Sequence, residues 1–156
     1  MKGHADIITM LNELLTNELT AINQYFIHAK MLAHWGFDRL AKQVRAESID
    51  EMKHADQIIS RILYLDGIPN LQRLNKLRVG ETVKEQFESD VALEYAAIGQ
   101  LNGWITRARE IADNGTVDLL EKILVAEEAH TDWLETQLGL IAQLGDTAYL
   151  AEQMHT

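Results

Sequence analysis

The sequence predicts an all-α protein, a four-helix bundle with one long crossover connection and a short fifth helix at the C-terminus. Apolar residues recur at helical spacing through almost all of the 156 residues, and helix breakers are few. The only proline, Pro69, lies between two pairs of long helical patterns. Because 47% of the residues are hydrophobic, the chain can bury a substantial core, and its length favours one domain.

The first two helices are predicted to form a pair joined by a short turn. The first covers residues 6–35 and ends where Gly36 can terminate it. The second covers residues 38–65, and Asp38 is its predicted N-cap. Since only a few residues separate the two helices, we expect them to be antiparallel neighbours.

The third and fourth helices are predicted to form a second pair. Thr82 and Glu85 have the spacing of a capping box, which begins a third helix that runs to about residue 111. Residues 113–115, with the sequence Asp-Asn-Gly, are the predicted turn. The fourth helix then covers residues 116–144.

The segment between the two pairs, residues 66–81, is too long for a turn between antiparallel neighbours, so we expect it to cross along the bundle. One long crossover is typical of ferritin-like four-helix bundles, whereas the alternative, an extended array of α-hairpins, gives no reason for it. Residues 147–154 can form a short fifth helix. The prediction is a single ferritin-like domain over residues 1–156, with the bundle in 1–145 and the short helix and tail in 146–156.

Charge and cysteine content limit the classes of function. The 14 basic and 24 acidic residues give a net charge of −10, which favours cations and disfavours nucleic acid and anionic membranes as partners. Without cysteine, any metal must be bound by oxygen and imidazole. No apolar run approaches the roughly 18 residues of a membrane span, and no signal-type segment begins the chain. We therefore expect a cytoplasmic protein with no membrane partner.

A pattern of one glutamate followed 33 residues later by Glu-x-x-His occurs twice. The copies are Glu18, Glu51 and His54 and, with a constant offset of 76 residues, Glu94, Glu127 and His130. On a helical wheel all four glutamates fall on apolar stripes, so four helices each direct one carboxylate into the core. A single Glu-x-x-His is common by chance on solvated helices, but two copies at equal spacing are not.

Buried carboxylates need compensation, and bound cations supply it most directly. Four carboxylates and two imidazoles can bind two divalent iron ions a short distance apart. In this arrangement Glu51 and Glu127 are free to bridge the ions, and the other four side chains are terminal ligands. Two adjacent Fe(II) ions can together give two electrons to dioxygen or peroxide, so the pattern predicts a catalytic di-iron site.

Two aromatic residues are predicted to lie beside this site. Tyr25 shares a helix face with Glu18 and could hydrogen-bond a ligand carboxylate or supply an electron. A packed core tyrosine with a satisfied hydroxyl is equally compatible with the spacing. The same two interpretations apply to Trp133, three residues after His130.

The second helix has a further apolar face, which carries Met52 with Ile49, Ile59 and Leu63 and points away from the core. A helix that is apolar on two sides predicts burial against another subunit. Across a twofold axis Met52 would meet its own copy, and two thioethers could then bind a haem iron. Ordinary interface packing is the alternative for a methionine, and the spacing does not choose between them.

The chain resembles the bacterioferritins, the haem-containing ferritins, over essentially its whole length. The matching segments are residues 17–19, 21–26, 47–56, 67–72 and 132–138. The run Glu51-Met52-Lys53-His54 is especially specific, because it combines the ligands of the ferroxidase centre with the methionine of the haem-containing members.

The resemblance implies iron storage with ferroxidase activity, in which O2 or H2O2 oxidises Fe(II) and the Fe(III) mineral is stored in a 24-subunit cage of twofold dimers. It implies that the ligands of the di-iron centre are Glu18, Glu51, His54, Glu94, Glu127 and His130. It also implies that Met52 is the axial ligand of haem b at each dimer interface, and that a small ferredoxin donates electrons for iron release. The shell could be a homo-oligomer or include a second ferritin subunit.

Two alternative functions stay open at this point. One is a di-iron peroxidase or oxygenase of the rubrerythrin kind, which shares the doubled Glu-x-x-His pattern. The other is a haem-bearing structural subunit of the cage. A particle of about 24 chains would favour storage, and a stable dimer would favour the rubrerythrin-like alternative.

Overall fold

The computed structural model describes residues 1–155, and within them it contains five α-helices. These are α1 (Ala5–His34), α2 (Asp38–Tyr64), α3 (Val83–Glu110), α4 (Asn114–Leu144) and α5 (Asp146–Ala151). Helices α1 and α2 form one pair and α3 and α4 the other, while contacts of α1 with α3 and of α2 with α4 join the pairs. The predicted all-α bundle, with its long crossover and short fifth helix, is confirmed.

The core consists of two apolar clusters. The larger cluster includes Leu11 and Leu15 of α1 with Ile58 and Ile62 of α2 and Leu101 of α3. The other is built around a different set of side chains, among them Tyr25, Leu32, Val44, Phe87 and Leu134. Each fully buried leucine or isoleucine stabilises the fold by about 1.5–3 kcal/mol. Between these clusters the same helices carry buried polar side chains, which is where the predicted site lies.

The turn between α1 and α2 differs in one detail from the prediction. Gly36 follows the end of α1 with a φ of +89°, a conformation that glycine adopts without strain. The N-cap of α2 is Phe37, and Asp38 is the first helical residue, so the prediction of an Asp38 cap is wrong. The Phe37 amide donates a hydrogen bond to the Leu32 carbonyl at 3.0 Å, which fixes the backbone just before α2. The helix then begins at Asp38, one residue earlier than an Asp38 cap would allow. The Asp38 carboxylate still lies in the first turn, where the helix dipole favours it.

The start of α4 also differs from the prediction, which placed a turn at residues 113–115. Asp113 is instead the N-cap, and its side chain accepts a hydrogen bond from the Thr116 amide at 3.1 Å. The same carboxylate pairs with Arg61 of α2 at 2.6 Å. These two contacts place Asn114 and Gly115 in the first turn of the helix. The chain reverses its direction at Ala112 instead, which has a φ of 61°.

The fifth helix is shorter than the predicted 147–154. It begins at Asp146, directly after Gly145 with its φ of +81°, and ends at Ala151. Beyond that point the Gln153 carbonyl accepts a hydrogen bond from the Arg39 amide of α2, at 3.1 Å, so the chain leaves the helical path to join the bundle.

The crossover follows α1 along most of its length, as predicted. Its backbone amides donate to successive α1 side chains, Asn70 to Asn12 (2.8 Å), Asn75 to Thr20 (3.0 Å), Arg78 to Gln24 (3.1 Å) and Gly80 to His28 (3.0 Å). From Asn12 to His28 the helix advances about 24 Å at about 1.5 Å per residue. Within the described residues 1–155, no helix combines the length and apolarity that a membrane crossing needs.

Candidate metal centre

Four buried carboxylates meet at mid-height in the bundle, one from each long helix. They are Glu18 of α1, Glu51 of α2, Glu94 of α3 and Glu127 of α4, and none is more than 2% exposed. Each lies on the apolar stripe of its helix, so burying that stripe also buries the acid. His54 and His130, one helical turn after Glu51 and Glu127, are largely buried beside them. The structure thus brings all six predicted side chains together.

The six side chains form two overlapping sets of potential metal ligands. One set is Glu18, Glu51, His54 and Glu127, and the other is Glu51, Glu94, Glu127 and His130. Within each set, one ligand atom per residue can be chosen so that all lie within 4.8 Å of one another. Glu51 and Glu127 belong to both sets, which is the placement that bridging ligands between two ions require.

Glu51 lies between the two imidazoles. His54 Nδ1 is 3.4 Å from one Glu51 oxygen and His130 Nδ1 is 3.1 Å from the other. Burial alone would raise the pKa of Glu51, but its contacts with His130 and His54 outweigh it and lower the pKa to about 2. Burial lowers the pKa of His130, but the contact with Glu51 and the nearby carboxylates raise it to about 9. Glu51 therefore favours its charged form.

Glu94 and Glu127 behave in the opposite way. Burial raises the pKa of Glu94 well above the ordinary value, and the neighbouring Glu127 and Glu51 raise it further. Burial likewise raises the pKa of Glu127 well above its ordinary value, although its contact with Glu94 lowers it. Two buried carboxylates this close cannot both be charged without a cation, so this pair favours the protonated form.

Several polar atoms at the centre have no well-directed hydrogen bond among the described residues. They are Glu18 Oε2, Glu51 Oε1, Glu94 Oε2, Glu127 Oε1 and His130 Nδ1. Glu51 Oε1 and His130 Nδ1 form an ion pair at 3.1 Å, and Glu127 Oε1 lies 3.2 Å from His54 Nδ1, but two imidazoles cannot compensate four buried carboxylates. Bound divalent ions would supply the missing partners, and oxygen with imidazole is a donor set that suits iron. The residues present therefore fit a pair of metal ions.

Tyr25 and Trp133 have different relations to the centre. Tyr25 is buried and its hydroxyl donates a hydrogen bond to Glu94. Burial first, and then the neighbouring carboxyl groups of Glu94, Asp90 and Glu127, raise the pKa of Tyr25 well above the ordinary value. Trp133 is half-buried and packs edge-on against Phe87, with ring centroids 5.5 Å apart. Of these two aromatic residues, Tyr25 is the one that makes a direct hydrogen bond to one of the six side chains.

Two openings flank the centre. A cavity of about 570 Å³ reaches Glu18, Glu51, Glu94 and Glu127, and exposed residues of α3 and the crossover also line it. A shallower groove of about 600 Å³ is lined by residues that include Glu47, Asp50, His130 and Trp133. Glu47 is buried, which raises its pKa to about 7. The cavity therefore reaches the four glutamates, and the groove reaches His130.

Sequence reasoning missed a buried polar network next to the centre. Asp90 lies one turn before Glu94 on the same face of α3 and accepts a hydrogen bond from Gln24 at 2.8 Å. His28 Nδ1 is 3.0 Å from the same Asp90 oxygen, and all three side chains are at most 1% exposed. Extending the helical wheel of Glu94 by one turn would have identified Asp90.

Met52 lies where predicted, on the outer face of α2. It is 56% exposed in the single chain, and its apolar neighbours are Ile49 and Leu63 of α2, which are also exposed. Phe26 of α1 is a further exposed apolar residue and contacts the Arg45 guanidinium, 6.0 Å from its ring centroid. This outer apolar face, defined by Phe26, Ile49, Met52 and Leu63, is separate from the metal centre.

Comparison with known proteins gives one consistent family. The model of the ferritin-like domain matches residues 8–144. The chain is 54% identical to a bacterioferritin of Mycobacterium leprae, over 97% of this chain and 96% of that protein. It is 51% identical to a bacterioferritin of Streptomyces coelicolor, over 97% of this chain and 90% of the relative.

A solved structure agrees with these sequence relatives. The structure of Mycobacterium tuberculosis bacterioferritin BfrA is similar to this chain with a TM-score of 0.98 and 52% identity, covering 99% of this chain and 98% of that one. The ferritin-like class of the bundle and the resemblance inferred from the residue motifs are both confirmed. With a fold, a family model and relatives of more than 50% identity in agreement, the chain belongs to the bacterioferritins, a family of iron-storage proteins.

Proposed function

We propose that this protein oxidises Fe(II) at a di-iron centre within each subunit and stores the Fe(III) as mineral inside a 24-subunit cage. The observation that carries the proposal is the convergence of four buried glutamates and two histidines into two ligand sets that share Glu51 and Glu127. Iron is the substrate of this reaction as well as the cargo of the cage.

The residues divide into roles by their position in the two sets. Glu18 and His54 belong to one set only, and Glu94 and His130 to the other, so these four are the terminal ligands. Glu51 and Glu127, which belong to both sets, would bridge the two ions. Oxygen-rich ligation favours Fe(III) over Fe(II), which promotes oxidation. Each ion gives up one electron, and the two electrons reduce O2 with two protons to H2O2, or H2O2 with two protons to water.

The site also includes Tyr25, and three of its ligands favour their protonated forms when no metal is bound. The Tyr25 hydroxyl holds the Glu94 carboxylate by a hydrogen bond and so limits its orientation. Glu94, Glu127 and His130 all favour their protonated forms in the protein alone, because burial raises the pKa of both glutamates and the contact with Glu51 raises that of His130. Iron binding must displace these protons, since ligands bind in their deprotonated forms.

Replacing Glu94 and Glu127 together by alanine tests the ferroxidase centre. We expect the double variant to lose the rapid phase of Fe(II) oxidation, because one terminal ligand and one bridging ligand are removed. Stopped-flow absorbance with about two Fe(II) per subunit measures that phase. Glu88→Ala, which removes an exposed glutamate of α3, is the matched control and should keep it. An unchanged rapid phase in the double variant would refute the proposed site.

We also propose that haem b binds between two Met52 side chains at a twofold dimer interface. The exposed Met52 thioether would hold the haem iron, and its exposed apolar neighbours would suit the apolar macrocycle. The haem would supply one-electron transfer toward stored iron, with a small ferredoxin as the external donor. Without haem, the same side chains would be ordinary interface packing.

Met52→Ala tests this assignment. We expect the variant, purified after haem supplementation, to lose the absorption spectrum of low-spin haem with two sulfur ligands. Met154→Ala is the matched control, because Met154 has almost the same exposure but lies beyond α5. A Met52→Ala protein that keeps the complete spectrum would exclude Met52 as the ligand.

We propose a shell of 24 copies of the 17.7-kDa chain built from twofold dimers, either alone or mixed with a second ferritin subunit. Within each copy, residues 1–145 form the bundle and 146–156 the short helix and tail of a single domain; residue 156 lies outside the described part of the chain. Mass measurement after iron loading distinguishes this particle from the stable dimer that a rubrerythrin-like peroxidase would form.

A further inference from the structure

From the contacts at the mouth of the larger cavity, we infer that Asn17, Gln100 and Asn75 form a carboxamide latch that controls the rate at which metal ions reach the buried carboxylates. The inference rests on the proposed di-iron centre and adds residues that are not ligands. The latch would affect how fast metal ions reach the centre and would take no part in the oxidation of iron.

The cavity leads from the protein surface to the centre. Four of its lining residues are the buried glutamates of α1 to α4, whereas Gln100 and Asn75 are exposed and Asn17 is half-buried. The burial gradient shows that the carboxamides lie at the outer end and the carboxylates at the inner end. Exposed Glu13 and Arg73 also line the outer end, so a cation that enters from this side passes a mouth shared by the carboxamides and these two charged side chains.

The three carboxamides are joined to one another across this mouth. Asn75 Nδ2 donates to Asn17 Oδ1 at 3.0 Å, and Asn17 Nδ2 donates to Gln100 Oε1 at 2.7 Å. The chain of bonds connects the crossover, α1 and α3. The Asn75 backbone amide also donates to Thr20 Oγ1 at 3.0 Å, which anchors this end of the latch to α1.

The latch is close to two of the proposed ligands along the same helices. Asn17 directly precedes Glu18 in α1. Gln100 lies six residues after Glu94 in α3, about 9 Å along the helix axis. A hydrogen bond between Asn17 and Gln100 therefore spans the gap between the two helices that carry Glu18 and Glu94.

The chemistry of carboxamides suits a gate better than a binding site. A neutral amide holds a divalent cation far less strongly than a carboxylate does, so an ion is not trapped at the mouth. Exposed hydrogen bonds of this kind contribute little net free energy, and exposed side chains change rotamer rapidly. The latch can therefore open and close many times while the buried ligands stay in place.

The test uses Co2+ alone as the probe, on the full-length assembled protein, and measures association and dissociation by stopped-flow absorbance. We expect Gln100→Ala to raise both rate constants by about three- to tenfold, the effect of losing one such hydrogen bond, and Asn17→Ala, which removes two, to raise them at least as much. Because the latch is not a ligand, the equilibrium dissociation constant should be unchanged. The double variant should be no faster than Asn17→Ala alone, since Asn17→Ala already removes the bond to Gln100 as well as the bond from Asn75.

Asn23→Ala and Asn102→Ala are matched controls. Both are exposed asparagines of α1 and α3 whose side chains bond only to their own helix, and neither lines the cavity. Unchanged rates in the latch variants, or rates that change together with the dissociation constant, would overturn the latch. If the wild-type protein binds no Co2+, or binds it equally well after Glu94→Ala and Glu127→Ala, the proposed metal centre itself fails, which is a distinguishable result.

Discussion

At the scale of single residues, Glu51 and His130 show how a buried acid is tolerated in an apolar bundle. The Glu51 carboxylate is fully buried, yet two histidines contact its two oxygens. Burial lowers the pKa of His130, but Glu51 and the other carboxylates outweigh this effect and raise it to about 9. The ion pair stabilises the fold only while His130 is protonated, because removing the proton leaves Glu51 without its counter-charge.

This pair predicts a pH dependence of stability in protein stripped of metal. Since the pKa of His130 is raised on folding, its contribution is complete below the ordinary histidine pKa of about 6.5 and is lost as the pH rises through about 9. We expect His130→Gln to lower the free energy of unfolding by about 1–3 kcal/mol near pH 6, with the difference shrinking above about pH 9. Denaturant unfolding at several pH values measures it.

The exposed His34 supplies the comparison for that series. His34→Gln removes a histidine that has no buried carboxylate partner among the described residues, so it should lower the free energy of unfolding less than His130→Gln does. If the loss of unfolding free energy in His130→Gln stayed constant from about pH 6 to about pH 10, the charge on His130 would not contribute to stability.

At the scale of elements, the crossover is held to the bundle by side chains rather than by a regular secondary structure. Near its end, Gly80 donates its backbone amide to His28 and accepts a hydrogen bond from Gln86 at 3.3 Å. A Cβ at Gly80 would lie 2.3 Å from the Gln86 backbone nitrogen, too close for any real contact. Glycine is required here by the close approach of two backbone segments.

Gly80→Ala is therefore expected to be strongly destabilising. The clash is with the backbone of α3, which cannot move aside as a flexible side chain could, so we expect a loss of about 1–3 kcal/mol or more. Gly99→Ala is the matched control, since a Cβ at this glycine inside α3 meets nothing within 4 Å. It should stabilise the helix by about 0.5–1 kcal/mol. Thermal unfolding of both variants compares them, and equal melting temperatures would contradict the expectation.

At the scale of the whole molecule, the outer apolar face is the feature that a single chain does not explain. Phe26, Ile49, Met52 and Leu63 are each between 44% and 57% exposed and lie on the paired helices α1 and α2. Several large apolar side chains exposed on one face of a helix pair favour a contact with another molecule. A twofold dimer would cover the face and place two Met52 residues together, in agreement with the proposed haem site.

Charge on this face should therefore weaken assembly. We expect Ile49→Glu combined with Leu63→Glu to convert the large particle to smaller species, because two like-charged groups per subunit would be buried or brought together at the interface. Gln57→Glu adds one such charge at an exposed position of α2 off this face and should leave the particle intact. Light scattering after size-exclusion chromatography measures the mass, and an intact particle in the double variant would exclude this face from assembly.

Periodicity predicted most of the fold because each long helix buries a stripe that must recur every three to four residues. It placed α1, α2 and α3 to within a residue or two at each end and identified the crossover. The errors lie at termini, where a few local hydrogen bonds decide. Phe37 caps α2 because its amide is bonded to Leu32, and α4 begins early because Asp113 binds both Arg61 and the Thr116 amide.

The repeated spacing of glutamate and histidine was enough to predict which six side chains come together. Each glutamate lies on the inward stripe of its own helix, and the four stripes face the same core. Spacing along a helix contains no information about distances between helices. The sharing of Glu51 and Glu127 by both ligand sets, the hydrogen bond from Tyr25 to Glu94 and the carboxamides that join α1, α3 and the crossover arise only when the helices pack at a particular register. Contacts between distant parts of a chain depend on that register, and packing of the whole bundle determines it.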